Sequence, residues 1–238
     1  MATKKILLGL TTTPGSDWRK KIEEISKFNI KEISLFPTFL DIESRRELYN
    51  LLENSIVKEI SHVHLRNDME IWELEYLMNT FKTHLFNVHP INDKYPREHD
   101  YSKFSKSIYI ENVLGLSRNL PLVEEVESSA GLCIDFAHWQ DTILKENANY
   151  NNELVKLLNK FKIGCCHISA AKNKKTDGSF ETGIETYEKH WFDNLTNFDY
   201  IAKFKNYLPN IISLELENSF EEQLKVKEYL ENIINHKI

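Results

Sequence analysis

Glycine, proline and cysteine are scarce in this chain, with seven, six and three among 238 residues. No G-x-G-x-x-G turn follows the first apolar run, which continues instead as "GLTTTPGSDW". The phosphate-cradling signature of an open dinucleotide-binding sheet is therefore missing. No repeat, low-complexity tract or Pro/Gly-rich linker marks a boundary, so one domain over residues 1–238 is expected. Cys133, Cys165 and Cys166 are odd in number, lack Cys-x-x-Cys spacing and sit in apolar runs. They indicate neither a disulfide framework nor a structural zinc site, and are expected to be core thiols in a reducing compartment. No apolar run is long enough to span a membrane, and the one in "MATKKILLGL" is too brief for a signal peptide; a cytoplasmic protein without membrane attachment is expected. Positive charge is short as well. Thirty Lys and Arg against 36 Asp and Glu leave a net charge of -6, which argues against a general nucleic-acid binder while leaving room for a local basic groove.

What is present is an alternation. Short β-type runs, "KILLGL", "KEISLF", "KEISHVHL", "THLFNVHP", "SIYIENV", "GLCIDFAH", "KIGCCHIS" and "NIISLELEN", are separated by segments of helical period, such as "SDWRKKIEEISKFN", opened by a Ser16 or Asp17 cap, and "DTILKENANYNNELVKLLNKFK". Eight such pairs are the count of a single (β/α)8 TIM barrel, with a shortened or irregular helix after the fourth strand, where only "YSKFSKS" follows a polar loop. The stretch "AAKNKK", residues 170–175, is expected to be a solvated loop, with phosphate binding as its alternative.

In such barrels the C-terminal strand ends build the active site, and the polar residues concentrate there. In "GLCIDFAHW", Asp135 shares a face with Cys133 at period two, and a carboxylate facing a closed interior is costly unless something positive meets it. Other runs end alike, in His62 and His64, in His89, in Glu111, in His167, and in Glu215 and Glu217, with His138 three residues beyond Asp135. Converging carboxylates repel one another, and a divalent cation replaces that repulsion with coordination. The imidazole and carboxylate mixture suits Mn, Zn, Co or Fe, and two or three ions would be needed to engage every candidate. Each residue also has a structural reading. A lone strand-end histidine is more often a hydrogen-bonded core residue than a ligand, and Glu217 could simply meet solvent or a lysine. His62 and His64 share a face, so the sequence leaves open which one points into the mouth.

The series "YIENV", "CIDFAH", "CCHIS" and "ISLELEN", with "NVHP" before it, resembles the xylose isomerase-like TIM barrels, which include sugar phosphate isomerases and epimerases and the endonuclease IV group. That resemblance implies Glu111, Asp135, His167 and Glu215 as shared metal ligands, with His138 contacting substrate or a further metal. It leads first to a metal-dependent isomerase or epimerase of a small sugar or related polyol ketone. Glu111 and Glu215 would then be the catalytic residues that remove and return a carbon-bound proton beside a metal-stabilised enediolate. Trp139, Trp191 and Phe192 are candidates for an apolar wall against the sugar. The alternative is an endonuclease IV-like multi-zinc phosphodiesterase acting on abasic DNA, in which His62 or His64, His89 and His190 complete the extra metal sites. There "EKH", Glu188 and His190, stands where the family has Asp-x-His, and "HISAAKN" has Ala170 and Ala171 where an Asp is usual. A non-catalytic barrel is the third reading. A carbohydrate substrate and a homo-oligomer complete the expectations.

Overall fold

The computed structural model of the chain describes residues 4–92, 96–114, 119–176 and 185–235. The first apolar run is interrupted at Leu8, giving β1 (Lys5–Leu7) and β2 (Gly9–Thr11). There follow β3 (Glu32–Phe36), β4 (Glu59–His64), β5 (Leu85–Val88), β6 (Ile108–Glu111), β7 (Gly131–Asp135), β8 (Ile163–Ile168) and β11 (Ile211–Leu214). These nine strands form one wholly parallel sheet in the order β1-β11-β8-β7-β6-β5-β4-β3-β2. Its two edge strands are consecutive in the chain, so the sheet curls into a nearly closed barrel joined through Leu8. Gly9 sits at that joint. A Cβ there would come within 1.7 Å of the Leu214 carbonyl oxygen, so only glycine lets the two backbones approach.

Helices cover the outside. α1 (Trp18–Lys27) is capped by Asp17, which accepts from the Lys20 amide, and α2 (Ile42–Glu53) by Asp41, which accepts from Ser44. α3 (Ile71–Phe81), α4 (Val123–Glu127), α5 (Phe136–Leu144), α6 (Ala148–Lys160) and α7 (Phe220–Asn235) complete the set, with 3-10 helices at Ser102–Ser107 and Leu195–Tyr207. After β5, among the described residues, only that first 3-10 helix precedes β6, the irregular stretch expected from sequence. The strands are buried on both faces, as parallel sheets require. Ile33, Ile60, Val63, Leu132, Ile134 and Leu214 pack outward under the helices, while Leu85, Tyr109, Cys133 and Cys165 form a separate inner cluster. All three cysteines are buried and unpaired. Between α2 and α3, the Arg45 guanidinium makes a two-pronged ion pair with Glu73, both contacts at 2.8 Å, and Tyr49 donates to the same carboxylate. No described helix is long and apolar enough to cross a membrane.

Three local expectations change. The long helix expected over 141–162 is two, α5 and α6, because Glu146 turns into the left-handed region at φ 55° and Asn147 caps the second of them. Helix α5 begins at Phe136, inside the expected strand, because the Asp135 carboxylate accepts from the His138 amide and starts the turn at once. The "AAKNKK" stretch is not a loop: it lies in β9 (Ala170–Thr176), antiparallel to β10 (Thr186–Lys189), with Glu188 opposite Ala171.

Candidate functional site

The polar residues at the strand ends converge. His64 ends β4, His89 follows β5, Glu111 ends β6, Asp135 ends β7, His167 lies on β8 and Glu215 follows β11, all at the C-terminal side of the parallel sheet. His64 Nε2 lies 3.0 Å from Glu111 Oε2 and 3.2 Å from His89 Nε2. His167 Nδ1 lies 3.2 Å from Glu215 and 3.5 Å from Glu111. His138 Nδ1 is 3.7 Å from Asp135 and 4.0 Å from Glu111. His190, just past β10, places Nε2 3.3 Å from Glu188 and 3.9 Å from Glu215. Three adjoining sets of potential ligand atoms result, each within 4.8 Å: His64, His89 and Glu111; Glu111, Asp135 and His138; and Asp135, His167 and Glu215. Glu111 and Asp135 each belong to two of them.

Backbone and amide carbonyls fix the imidazoles. A carbonyl oxygen can only accept, so His64 donates from Nδ1 to the Leu65 carbonyl at 3.0 Å and leaves Nε2 for the mouth. His138 is arranged differently: its Nδ1, the nitrogen nearest Asp135 and Glu111, is the one that donates to the Asn112 carbonyl, also at 3.0 Å. His167 turns Nε2 to Asn87 Oδ1 at 3.2 Å and leaves Nδ1 among the carboxylates. For His64 and His167 this is the orientation metal-ligating histidines need. Asn112 also clamps the Asp135 backbone in both directions, its Oδ1 accepting from the Asp135 amide and its Nδ2 donating to the Asp135 carbonyl.

Burial opposes ionisation of Glu111, but the charges of His167 and His64 override it and hold the carboxyl well below its usual range. Burial likewise opposes Glu215, which His190 and His167 nonetheless bring down to about 2. Asp135 goes the other way: burial, joined by the Glu111 and Glu215 charges, pushes it up to about 6 despite His138 and His167. Against burial, Asp135, Glu188 and Glu111 raise His138 to about 9; Glu188 and Glu215 raise His190 to about 9; and Glu111 and Glu215 hold His167 well above its ordinary value. The metal-free mouth is thus a lattice of carboxylates and imidazoliums.

The donor set fits divalent cations on a further ground. Asp135 Oδ2 and His167 Nδ1 are buried and make only ion-pair contacts, at 3.7 Å to His138 and 3.2 Å to Glu215, without a hydrogen bond of good geometry, although such groups in a folded interior normally make one. Both are ligand atoms of the Asp135, His167 and Glu215 set, and an ion there would satisfy both.

Other candidates sit elsewhere. His62 is fully buried one layer deeper, between Ser213 Oγ at 2.7 Å and Asn87 Oδ1 at 2.9 Å. It also approaches Cys133 and Cys165 as a possible ligand set of its own. Glu217 joins none of the ligand sets among the described residues; its carboxylate lies against Gly15. Trp139 cannot wall the mouth, because it is buried in the outer layer against Phe136, Phe204 and Tyr207, donating to Asn151. Phe192 packs on Phe198, whereas Trp191 is exposed under the Lys172 ammonium. Lys172 is also engaged by Asp193 and Asn197, leaving Lys174 and Lys175 as the exposed cations of β9. The residue overlooked in the sequence is Asn87, which the period-two face Leu85, Asn87, His89 places inside the barrel. Comparison of the chain with protein families finds no matching family model, and comparison with curated proteins finds no match.

Proposed function

We propose that the protein is a divalent-metal-dependent phosphoester hydrolase, a phosphodiesterase of the endonuclease IV kind within the xylose isomerase-like barrels, with Lys5–Thr11 counted as the first strand of one (β/α)8 domain over 1–238. The observation that carries this reading is the sharing of Glu111 and Asp135 among three adjoining ligand sets. One ion needs three or four ligands, whereas carboxylates common to neighbouring sets suit a centre of two or three ions a few ångströms apart. His64, His89 and Glu111 would hold one ion, Asp135, His167 and Glu215 a second, and His138 with the shared carboxylates a third, beside Glu188 and His190. Bound ions of this kind supply positive charge toward a phosphoryl group and acidify water. His64 and His167 each have one ring nitrogen held by a carbonyl hydrogen bond so that the other is aimed at the mouth, and burial of the site lowers the local dielectric so that each charge acts strongly.

A second reading, the sugar isomerase or epimerase, is favoured by one contact pattern: Glu111 and Glu215 reach the same His167 nitrogen from strands on different sides of the barrel, at 3.5 and 3.2 Å. Two carboxylates flanking one ion could pass a proton to and from a carbon acid. Ion counting separates the two. Protein loaded with Zn or Mn is expected to hold two or three ions and to cleave bis(p-nitrophenyl) phosphate or an abasic-site duplex, with His89→Ala losing one ion and most of the cleavage. One ion per chain, with solvent deuterium entering a ketose and no cleavage, would overturn the proposal in favour of the isomerase.

A further inference from the structure

Beneath the mouth, the Asn87 side chain meets three groups at once. Its Nδ2 donates to Glu111 Oε2. Its Oδ1 faces His62 Nε2 at 2.9 Å and His167 Nε2 at 3.2 Å. Only one orientation of the amide satisfies all three contacts. The Glu111 carboxylate accepts from the amide nitrogen, which fixes the amide oxygen at the opposite end. The amide oxygen then faces both rings, each of which must offer an N–H. His62 is left to accept at Nδ1 from Ser213 Oγ, 2.7 Å away. The result is a directed chain running from Ser213 through His62 and Asn87 to Glu111, with a branch to His167. All five side chains are buried, where such chains polarise their members and an unmade bond is costly.

We infer that Asn87 is a positioning residue of the metal centre: it fixes His167 with its proton on Nε2, so that Nδ1 is the ligand atom, and steers the Glu111 carboxylate that two ligand sets share. His167 Nδ1, facing Glu215 and Glu111, is then the outward face of the Asn87 contact. Phe36, edge-on to the His167 ring at 5.0 Å, packs that ring without supplying any hydrogen-bond preference, and Asn87 is the partner on the Nε2 side, opposite the carboxylates that meet Nδ1. A buried asparagine in a strand is otherwise hard to account for: it coordinates nothing and carries no charge, yet it spends both ends of its amide on groups of the site.

The inference rests on the mouth holding divalent ions, and the experiment separates the two. Zn affinity is measured by competition with a chromophoric chelator for wild-type protein, Asn87→Leu and Ser213→Ala. Asn87→Leu keeps the branched shape and removes all three contacts; the tightest Zn is expected to weaken by about 10- to 100-fold, the scale for lost outer partners of ligating histidines. Ser213→Ala removes a contact of His62 alone and should change affinity by less than about threefold on the same scale. Long-range proton–nitrogen spectra of Zn-loaded wild-type protein with labelled histidine supply a readout independent of any variant's folding: His167 should carry its proton on Nε2. Wild-type protein that binds no Zn would remove the metal reading itself. Zn binding of wild-type strength in folded Asn87→Leu, or a proton on His167 Nδ1 in the loaded wild type, would overturn the role of Asn87 and leave the metal centre standing.

Discussion

Replacing Asp135 with asparagine should stabilise the metal-free protein while removing most of its response to metal. In the folded chain the Asp135 carboxyl, fully buried with Oδ2 making no hydrogen bond, is pushed from 3.8 up to about 6. At about 1.4 kcal/mol for each tenfold change in a proton equilibrium, its ionised form costs the metal-free fold about 3 kcal/mol. The sign follows from the raised folded value. The cost is absent below about pH 4, grows as pH rises through about 6, and is constant above that. Asparagine removes the charge but keeps one buried polar atom to satisfy and loses the attraction to His138, so a net gain of about 1 to 3 kcal/mol is expected at pH 7.5. For a chain of this length each kcal/mol moves the midpoint by about 2–4 °C. In EDTA, Asp135→Asn should therefore melt several degrees above wild type at pH 7.5 and level with it at pH 4. With Zn or Mn at about 100 times the dissociation constant, wild type should gain about 2.7 kcal/mol and the variant little. Thermal unfolding by circular dichroism, with and without chelator across that pH range, is the assay. A variant that melts below wild type in EDTA at pH 7.5, or that keeps the metal-induced rise, would refute the account of Asp135 as a buried carboxylate held for an ion.

Ion uptake should release protons, because His138 and His190, raised to about 9, and His167, held well above its ordinary value, are charged at neutral pH and must shed a proton to ligate. Zn titration calorimetry at pH 7.5 in buffers of different ionisation enthalpy should give at least one proton per chain, and a buffer-independent heat would contradict it. Away from the site, Glu73→Gln leaves the buried Arg45 with the half-exposed Asp68, 3.4 Å away, as its remaining charged partner beside the Leu40 carbonyl, and should cost about 3–5 kcal/mol in urea unfolding. A loss under about 1 kcal/mol would mean that Asp68 or water takes over the pairing.

The alternation of strand and helix was legible because each strand is a short apolar run bounded by polar segments, and parallel strands buried on both faces must look that way. The interruption at Leu8 was not, since it exists only because β1 pairs with β11 and β2 with β3, two contacts from distant parts of the chain. Nothing local distinguishes "KILLGL" from an unbroken strand except Gly9, whose need for a close backbone approach is visible only with Leu214 beside it. The "AAKNKK" stretch failed for a related reason. Its lysines suggest solvent, but an antiparallel partner, β10, takes its backbone bonds and presents Glu188 and His190 at the mouth.

The site divides along the same line. Glu111, Asp135, His138, His167 and Glu215 could be found because a charged or ionisable group at the end of an apolar run is anomalous in the sequence itself. Depth was invisible. His62 and His64 share a face, but two residues along a strand is a displacement of nearly 7 Å, enough to put one ring in the mouth and the other in the layer below. His64 meets His89 and Glu111, while His62 meets Ser213 and Asn87. Asn87 escaped notice because an amide is neither a ligand nor a charge, and its importance lies wholly in its three partners. Those partners come from three other strands. A period-two reading can place Asn87 on the inner face, but only the stagger of β4, β5, β6 and β8 around the barrel puts His62, Glu111 and His167 within reach of its two ends.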